Sequence, residues 1–454
     1  MTEPRTDKLR LGAFFHPTGN HVASWLHPDA QIDAGTNFQH YAALAQRAEA
    51  AKFDLIFLAD SAAVRGGDLQ ALKRWPQYMV FFDPLTLMAG IAALTRHIGL
   101  VATATTSYNE PYTLARRLAS LDHISNGRTG WNVVTSSNTM EALNYGLAEH
   151  PGHDYRYERA AEFSEVVKGL LDSYDDDALA RDRESAVYFE PEKLHTLDHK
   201  GQFFSVRGPL NMARPPQGYP VFAQAGNSPT AIDMMARQAE IVFTPLHTIE
   251  TAQAFYRDLK TRAAANGRDP DHIKLMPGLN PIVGRSEAEA EEKHAYLQSL
   301  IHPDVGRALL SNALGDADLS GVGEDEPLPP PLKQAALASG RSDALLVVST
   351  MEREGLTLRQ MYQRYAGARG QRTVKGTPRQ IADEMERWFR ARAIDGFLVQ
   401  PAVLPSGLDE FCDMVIPEFQ ARGLFRTEYE GATLRENLGL PRPLGRHQSA
   451  SQPR

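Results

Sequence analysis

Short runs of β-branched and aromatic residues alternate along the chain with longer stretches of helical periodicity. Eight such runs predict strands, at 9–15, 53–59, 98–106, 129–135, 220–225, 241–245, 273–283 and 396–400. Several are apolar at every position, the pattern of a strand covered on both faces. Helix starts lie between them. Asp83, Ser228 and Thr377 each stand before a Pro, which places a cap residue ahead of proline at the first helical position. Thr36 with Gln39, and Ser286 with Glu289, read as capping boxes. Asn126 and Gly127 end a helix that begins near Pro111. Eight strand-then-helix units predict an α/β fold, a (β/α)8 TIM barrel, with a doubly wound open sheet as the alternative that strand counting leaves open.

Four stretches are too long for ordinary loops and read as insertions at the C-terminal face of the strands: about 16–35, 61–82, 173–219 and 301–372. The last holds a stiff Pro-rich segment at 326–331 and helical text around 356–366. The barrel then occupies 1–440 as a single domain, and the polar tail 441–454 is expected to be disordered.

Composition narrows the class. A chain of 454 residues, 42% of them apolar, supports one large core without a staple. Its single cysteine, Cys412, excludes an intramolecular disulfide and a cysteine zinc site. A net charge of -8 argues against a nucleic-acid face. The longest apolar stretch, 84–94, is too short to span a bilayer, and the first ten residues lack a signal peptide's apolar centre. The expectation is a soluble, cytoplasmic protein.

In a barrel, chemistry collects where strands end. Those positions carry His16, Asp60, Thr106, Tyr108, Asn227, Ser228, His247 and Gln400. Gln-Ala-Gly-Asn-Ser-Pro at 224–229 offers a helix N-terminus with a hydroxyl, which suits a phosphate; an ordinary capped β–α turn explains it equally well. His153 and Tyr157 lie four apart at a helix start and share a face, which suits an anion or simply a solvated helix end. His16, His21, His27 and His40 match no metal-ligand spacing, so no metal is expected. Neither a Walker loop nor a G-x-G-x-x-G after a strand occurs.

Taken in order, several motifs resemble one family. They are Leu-Gly-Ala-Phe-Phe at 11–15, Phe-Asp-Leu-Ile-Phe-Leu-Ala-Asp at 53–60, Thr-Ala-Thr-Thr-Ser-Tyr at 103–108 and Gly-Arg-Thr-Gly-Trp-Asn-Val-Val-Thr at 127–135. His-Asp-Tyr-Arg-Tyr at 153–157, Arg-Gly-Pro-Leu at 207–210, Pro-Pro-Gln-Gly at 215–218, Gln-Ala-Gly-Asn-Ser at 224–228 and Asp-Gly-Phe at 395–397 continue the series. The set is similar to the bacterial-luciferase-like flavin monooxygenases. Within them it resembles the branch of nitrilotriacetate monooxygenase component A, dibenzothiophene-sulfone monooxygenase and long-chain alkane monooxygenase.

The resemblance implies a two-component monooxygenase that receives FMNH2 from a separate NADH- or NADPH-dependent flavin reductase. It would use O2 as co-substrate through a flavin C4a-(hydro)peroxide and place one oxygen in a small organosulfur or N-alkyl/amino-polycarboxylate compound. It further implies Tyr157, Ser228, Asn227 and His153 around the FMN phosphate, and Asp60 and Thr106 along the flavin ring. His16 and His21 are acid–base candidates, Trp25 and Tyr108 are substrate-pocket candidates, and the chain is expected to form a homodimer or homotetramer. Members of the branch often carry Ala-Trp-Arg where this chain has Ser24-Trp25-Leu26, which implies that a cation over the substrate is missing. The alternatives are an F420-dependent oxidoreductase of the same superfamily and a non-catalytic flavin-binding protein.

Overall fold

The computed structural model describes residue 5 and residues 7–76, 78–339 and 342–448. All eight predicted runs carry strands. These are β1 (Arg10–Phe14), β2 (Leu55–Leu58), β3 (Gly99–Thr105), β4 (Thr129–Val134), β5 (Val221–Ala225) and β6 (Ile241–Phe243), then β7 (Lys274–Leu275) and β8 (Gly278–Val283), which divide one run, β9 (Arg372–Gly376) and β10 (Gly396–Val399). The order is β9-β8-β10-β1-β2-β3-β4-β5-β6-β7, and every pairing in this sheet is parallel. Its two flanks meet through Met276 and Pro277. Met276 N–H donates to the Val242 carbonyl at 2.8 Å on one side, while the Pro277 carbonyl accepts from Leu398 N–H at 3.0 Å on the other. The ring therefore closes into a TIM barrel, and the open sheet is excluded. β9 lies beside β8 as an additional strand.

Helices cover the outside: α1 (Phe38–Ala50), α2 (Pro84–Ala92), α3 (Pro111–Ser125), α4 (His153–Leu171), α5 (Pro229–Gln238), α6 (Ile249–Ala265) and α7 (Glu287–Ser299). Asp83 and Ser228 cap α2 and α5 as their sequences predict. α1 starts differently. Asn37, not Thr36, is its cap, and accepts from His40 N–H at 3.1 Å. Thr36 instead closes a 3-10 turn, so the predicted capping box does not form.

The insertion at 301–372 is mostly helical: α8 (Pro303–Ala313), α9 (Pro330–Ala338), α10 (Ser342–Glu354) and α11 (Leu358–Ala368). Only the last was legible in the sequence. These helices bury Val305, Leu310, Val347 and Tyr362 in an apolar core of their own, which also takes in Val22, Ala23, Leu72 and Trp75 from the first two insertions. The three segments thus form one cap over the C-terminal rim. α12 (Pro378–Arg390), with the capping box of Thr377 and Gln380, precedes β10.

The third insertion is largely irregular, with a short antiparallel ribbon of His199–Lys200 and Ser205–Val206. The tail expected to be disordered is tied down against it as far as residue 448. Arg442 pairs with Asp176 at 2.5 Å, the Pro443 carbonyl accepts from Arg214 at 2.9 Å, and His447 stacks on His195 at 3.9 Å. These fixed charges and rings outweigh the tail's polar composition. Residues 449–454 lie outside the described ones.

At the opposite, N-terminal end of the barrel Asp54 is fully buried. It accepts from Leu11 N–H at 2.7 Å and pairs with Arg426 at 2.6 Å.

Candidate active site

Two adjoining cavities open at the C-terminal ends of the strands, of about 390 and 410 Å3. Asp60, Arg65, Tyr78, Thr103, Val134 and Ser137 are among the residues that face both, so the two share a wall. The first continues past Glu141, His153, Arg156, Tyr157 and Gln224. The second continues past His16, Trp75, Asn132, Arg369 and Gln400, beneath the cap.

The fold brings together five of the residues singled out by sequence. Asp60, at the end of β2, faces both cavities, His16 and Gln400 face the second, and His153 and Tyr157 face the first. The His153 and Tyr157 rings lie 4.7 Å apart on the first turn of α4. Asn227 and Ser228 stand just outside that wall, between Ala225 and Ala231, which line it. Gly226 makes this close approach feasible: its φ is 147°, and a Cβ there would lie 3.0 Å from the Ala231 methyl and 3.9 Å from the Tyr157 hydroxyl. Ser228 Oγ accepts from Ala231 N–H at 3.2 Å as the cap of α5.

The others are placed elsewhere. Thr106 is buried and donates to the Val134 carbonyl at 3.1 Å. His21 is buried in the cap, where its Nδ1 accepts from Ala23 N–H at 3.2 Å. Trp25 donates to the Arg74 carbonyl at 3.0 Å. Tyr108 stacks on Tyr145 at 4.8 Å and bonds His150 at 2.6 Å. None of these four lines either cavity.

Residues to which sequence reasoning gave no role of their own fill the remaining wall. Glu141 is nearly fully buried and accepts from the Ser61 hydroxyl at 3.1 Å and the Ser136 hydroxyl at 2.6 Å. Arg156 donates to the carbonyls of Pro151, Thr135 and Ser136 and fixes the loop after β4. The amide oxygens of Asn132 and Gln224, on adjacent strands, are buried without a hydrogen-bond partner among the described residues. The last two were findable, since both are polar residues within apolar runs.

Burial sets the protonation states. It raises the Asp60 carboxyl to about 7, helped by the nearby acids Asp83 and Glu141. Burial, with Arg369 and Arg65 near, holds His16 well below its ordinary value, and burial lowers His21 to about 3. Both imidazoles are therefore neutral at pH 7. The Asp60 shift carries a stability signature. Between 3.8, the ordinary value, and about 7, the folded chain retains a proton that the unfolded chain releases. This group's contribution to stability thus falls as pH rises through that window and is least above it. Asp60→Asn should therefore raise the unfolding temperature relative to the parent at pH 8 and much less at pH 5. An equal effect at the two pH values would contradict the shift.

The family model for luciferase-like monooxygenases matches residues 14–395. The chain belongs to this family, a class of flavin-dependent monooxygenases. It is 47% identical over 440 residues to N-acetyl-S-(2-succino)cysteine monooxygenase of Bacillus subtilis (strain 168), covering 97% of this chain and 98% of that protein. It is 46% identical over 442 residues to nitrilotriacetate monooxygenase component A of Aminobacter aminovorans, covering 96% and 97%. Among solved structures it is similar to a riboflavin lyase with modified FMN and riboflavin, at a TM-score of 0.84 and 31% identity, covering 96% of this chain and 97% of that one. Among the described residues, no helix is long and apolar enough to cross a membrane.

Proposed function

We propose that this chain is the oxygenase component of a two-component system. In this reading it takes reduced FMN from a separate NAD(P)H-dependent flavin reductase and transfers one atom of O2 to a small organic molecule carrying sulfur or nitrogen. The observation that carries the reading is the shared wall of the two cavities. On either side of it Gln224, in the first cavity, and Asn132, in the second, hold buried amide oxygens with no hydrogen-bond partner among the described residues, an arrangement that suits the hydrogen-bonding edge of a flavin ring. The riboflavin lyase solved with modified FMN and the family membership support the same cofactor.

When bound, the flavin supplies the oxygen chemistry. This chain's residues have other tasks. Tyr157 and His153 on α4, together with the Ser228 hydroxyl at the start of α5, are suited to the phosphate. Asp60, with a carboxyl titrating near 7, can hold or release a proton beside the shared wall. The neutral His16 imidazole can exchange a hydrogen bond with a ligand in the second cavity. The cap excludes water above that cavity and holds the substrate against the wall.

The test is an assay with and without an added flavin reductase, using NADH, FMN and isotopically labelled O2. Alone, the chain is expected not to consume NADH at a useful rate. With the reductase, one labelled oxygen should appear in the product. Rapid NADH oxidation by the chain itself would contradict the two-component reading. Anaerobic hydride transfer with F420 would assign it to the deazaflavin oxidoreductases instead. Tight binding of oxidised FMN with no oxygenated product from any tested substrate would make it a flavin-binding protein.

A further inference from the structure

The second cavity is lined by two guanidinium groups on its cap side. Arg65 lies 5.4 Å from the centre of the Trp75 ring and 5.1 Å from that of Tyr78, and Arg369 lies 5.8 Å from Trp75. One indole thus has cations from two different insertions against it. Among the described residues, neither arginine has a carboxylate partner. Arg369 Nε donates to the Asn20 carbonyl at 2.6 Å, while among the described residues its Nη1 is enclosed with no acceptor, as is the indole N–H of Trp75. Burial lowers the pKa of the Arg369 guanidinium and Arg65 lowers it further, the mark of a charge without its counter-ion. Buried donors are ordinarily satisfied, and a buried charge ordinarily has a partner.

The backbone at this residue adds an independent observation. Arg369 ends α11 in the left-handed region, with φ of 51°. Glycine holds that position at a helix end with less strain. From this turn the side chain is held at the cavity by its bond to the Asn20 carbonyl.

We propose that the second cavity takes an organic carboxylate, seated on Arg369 and Arg65 beside Trp75, and that these arginines select anionic substrates over neutral ones. The proposal rests on the oxygenase reading and narrows it to substrates with an oxidisable sulfur or nitrogen and at least one carboxylate. Arg369 and Arg65 act here as specificity residues and take no part in the oxygen transfer.

The probes are thiodiglycolate and iminodiacetate, each compared with its dimethyl ester by calorimetric binding to the full-length protein. A charge-assisted hydrogen bond changes affinity roughly 10- to 100-fold, and the acids should exceed their esters by that margin. Arg369→Met, which keeps the length of the stem, should abolish most of the preference, and Arg369→Lys should restore part of it. Should Arg369→Met fail to fold, Arg65→Met must lower the preference alone. Esters that bind as well as acids, no saturable binding of either acid, or an undiminished preference in the folded Met variant would overturn the proposal. Oxygenation is scored separately with a flavin reductase. Equal turnover of acid and ester would end this proposal but keep the oxygenase reading, whereas acid-selective binding with no oxygenated product would do the reverse.

Discussion

Replacing Arg426 by Met is expected to lower the stability of the chain by about 3–5 kcal/mol, the usual cost of breaking a buried ion pair. Both partners are at most 2% exposed on their side chains, and the Asp54–Arg426 separation is 2.6 Å. Arg426 also donates to the Asn437 carbonyl at 2.6 Å and to its side-chain oxygen at 3.2 Å, so the C-terminal segment is pinned to the barrel base through the same group. Removal leaves Asp54 with the N–H of Leu11 and the more distant Arg10, at 3.5 Å. That residual support places the loss nearer the lower end of the range. The check is a urea titration followed by far-UV circular dichroism. The double variant Arg426→Met with Asp54→Asn should lose less than the sum of the two single losses, because together the changes remove both charges of the pair. Additive losses, or an unchanged midpoint for Arg426→Met, would show that the pair is not a keystone.

Tyr157→Phe is expected to weaken FMN roughly 10- to 100-fold, the loss of one hydrogen bond to a charged group. Riboflavin, which lacks the phosphate, should be affected far less. The Tyr157 ring already packs in the first cavity beside His153, and Phe preserves that packing. Ser228→Ala should show the same contrast between the two ligands. The Ser228 oxygen is engaged as an acceptor from Ala231, so its own proton is left for a phosphate oxygen. This second change also removes a helix cap, worth about 1 kcal/mol. Affinities should therefore be compared at a temperature where each variant is fully folded. Equal weakening of FMN and riboflavin would falsify the phosphate assignment.

The barrel strands were legible because burial on both faces leaves an uninterrupted apolar run, as in Leu55–Leu58, where every residue is buried. β9 escaped for the converse reason: Arg372, Lys375 and the half-buried Thr373 leave only Val374 as an apolar signal. In the cap, the Pro-rich segment at 326–331 reads as a stiff stretch, yet Pro330, like Pro303, stands in the first turn of a helix, where a missing N–H costs nothing. Among site residues, His16 and Asp60 could be read because each follows an apolar run directly. Arg369 could not. It ends a cap helix rather than a strand, and no periodicity distinguishes it among the 48 Lys and Arg residues of the chain. Its place at the cavity depends on the cap folding back over the rim and on the Asn20 carbonyl that holds it there.

The cap's separate core bears on how such chains diversify. Leu309, Asn312, Tyr365, Ala366 and Arg369 all reach the second cavity from the cap, and none of them lines the first. The apolar residues behind them pack among themselves rather than into the barrel's main core. A substitution that reshapes the cap is therefore absorbed locally, since sites without shared partners act nearly independently. Inherited change in what the enzyme accepts can accumulate in one part of the chain while the rim of the barrel, under a different selective demand, stays as it was.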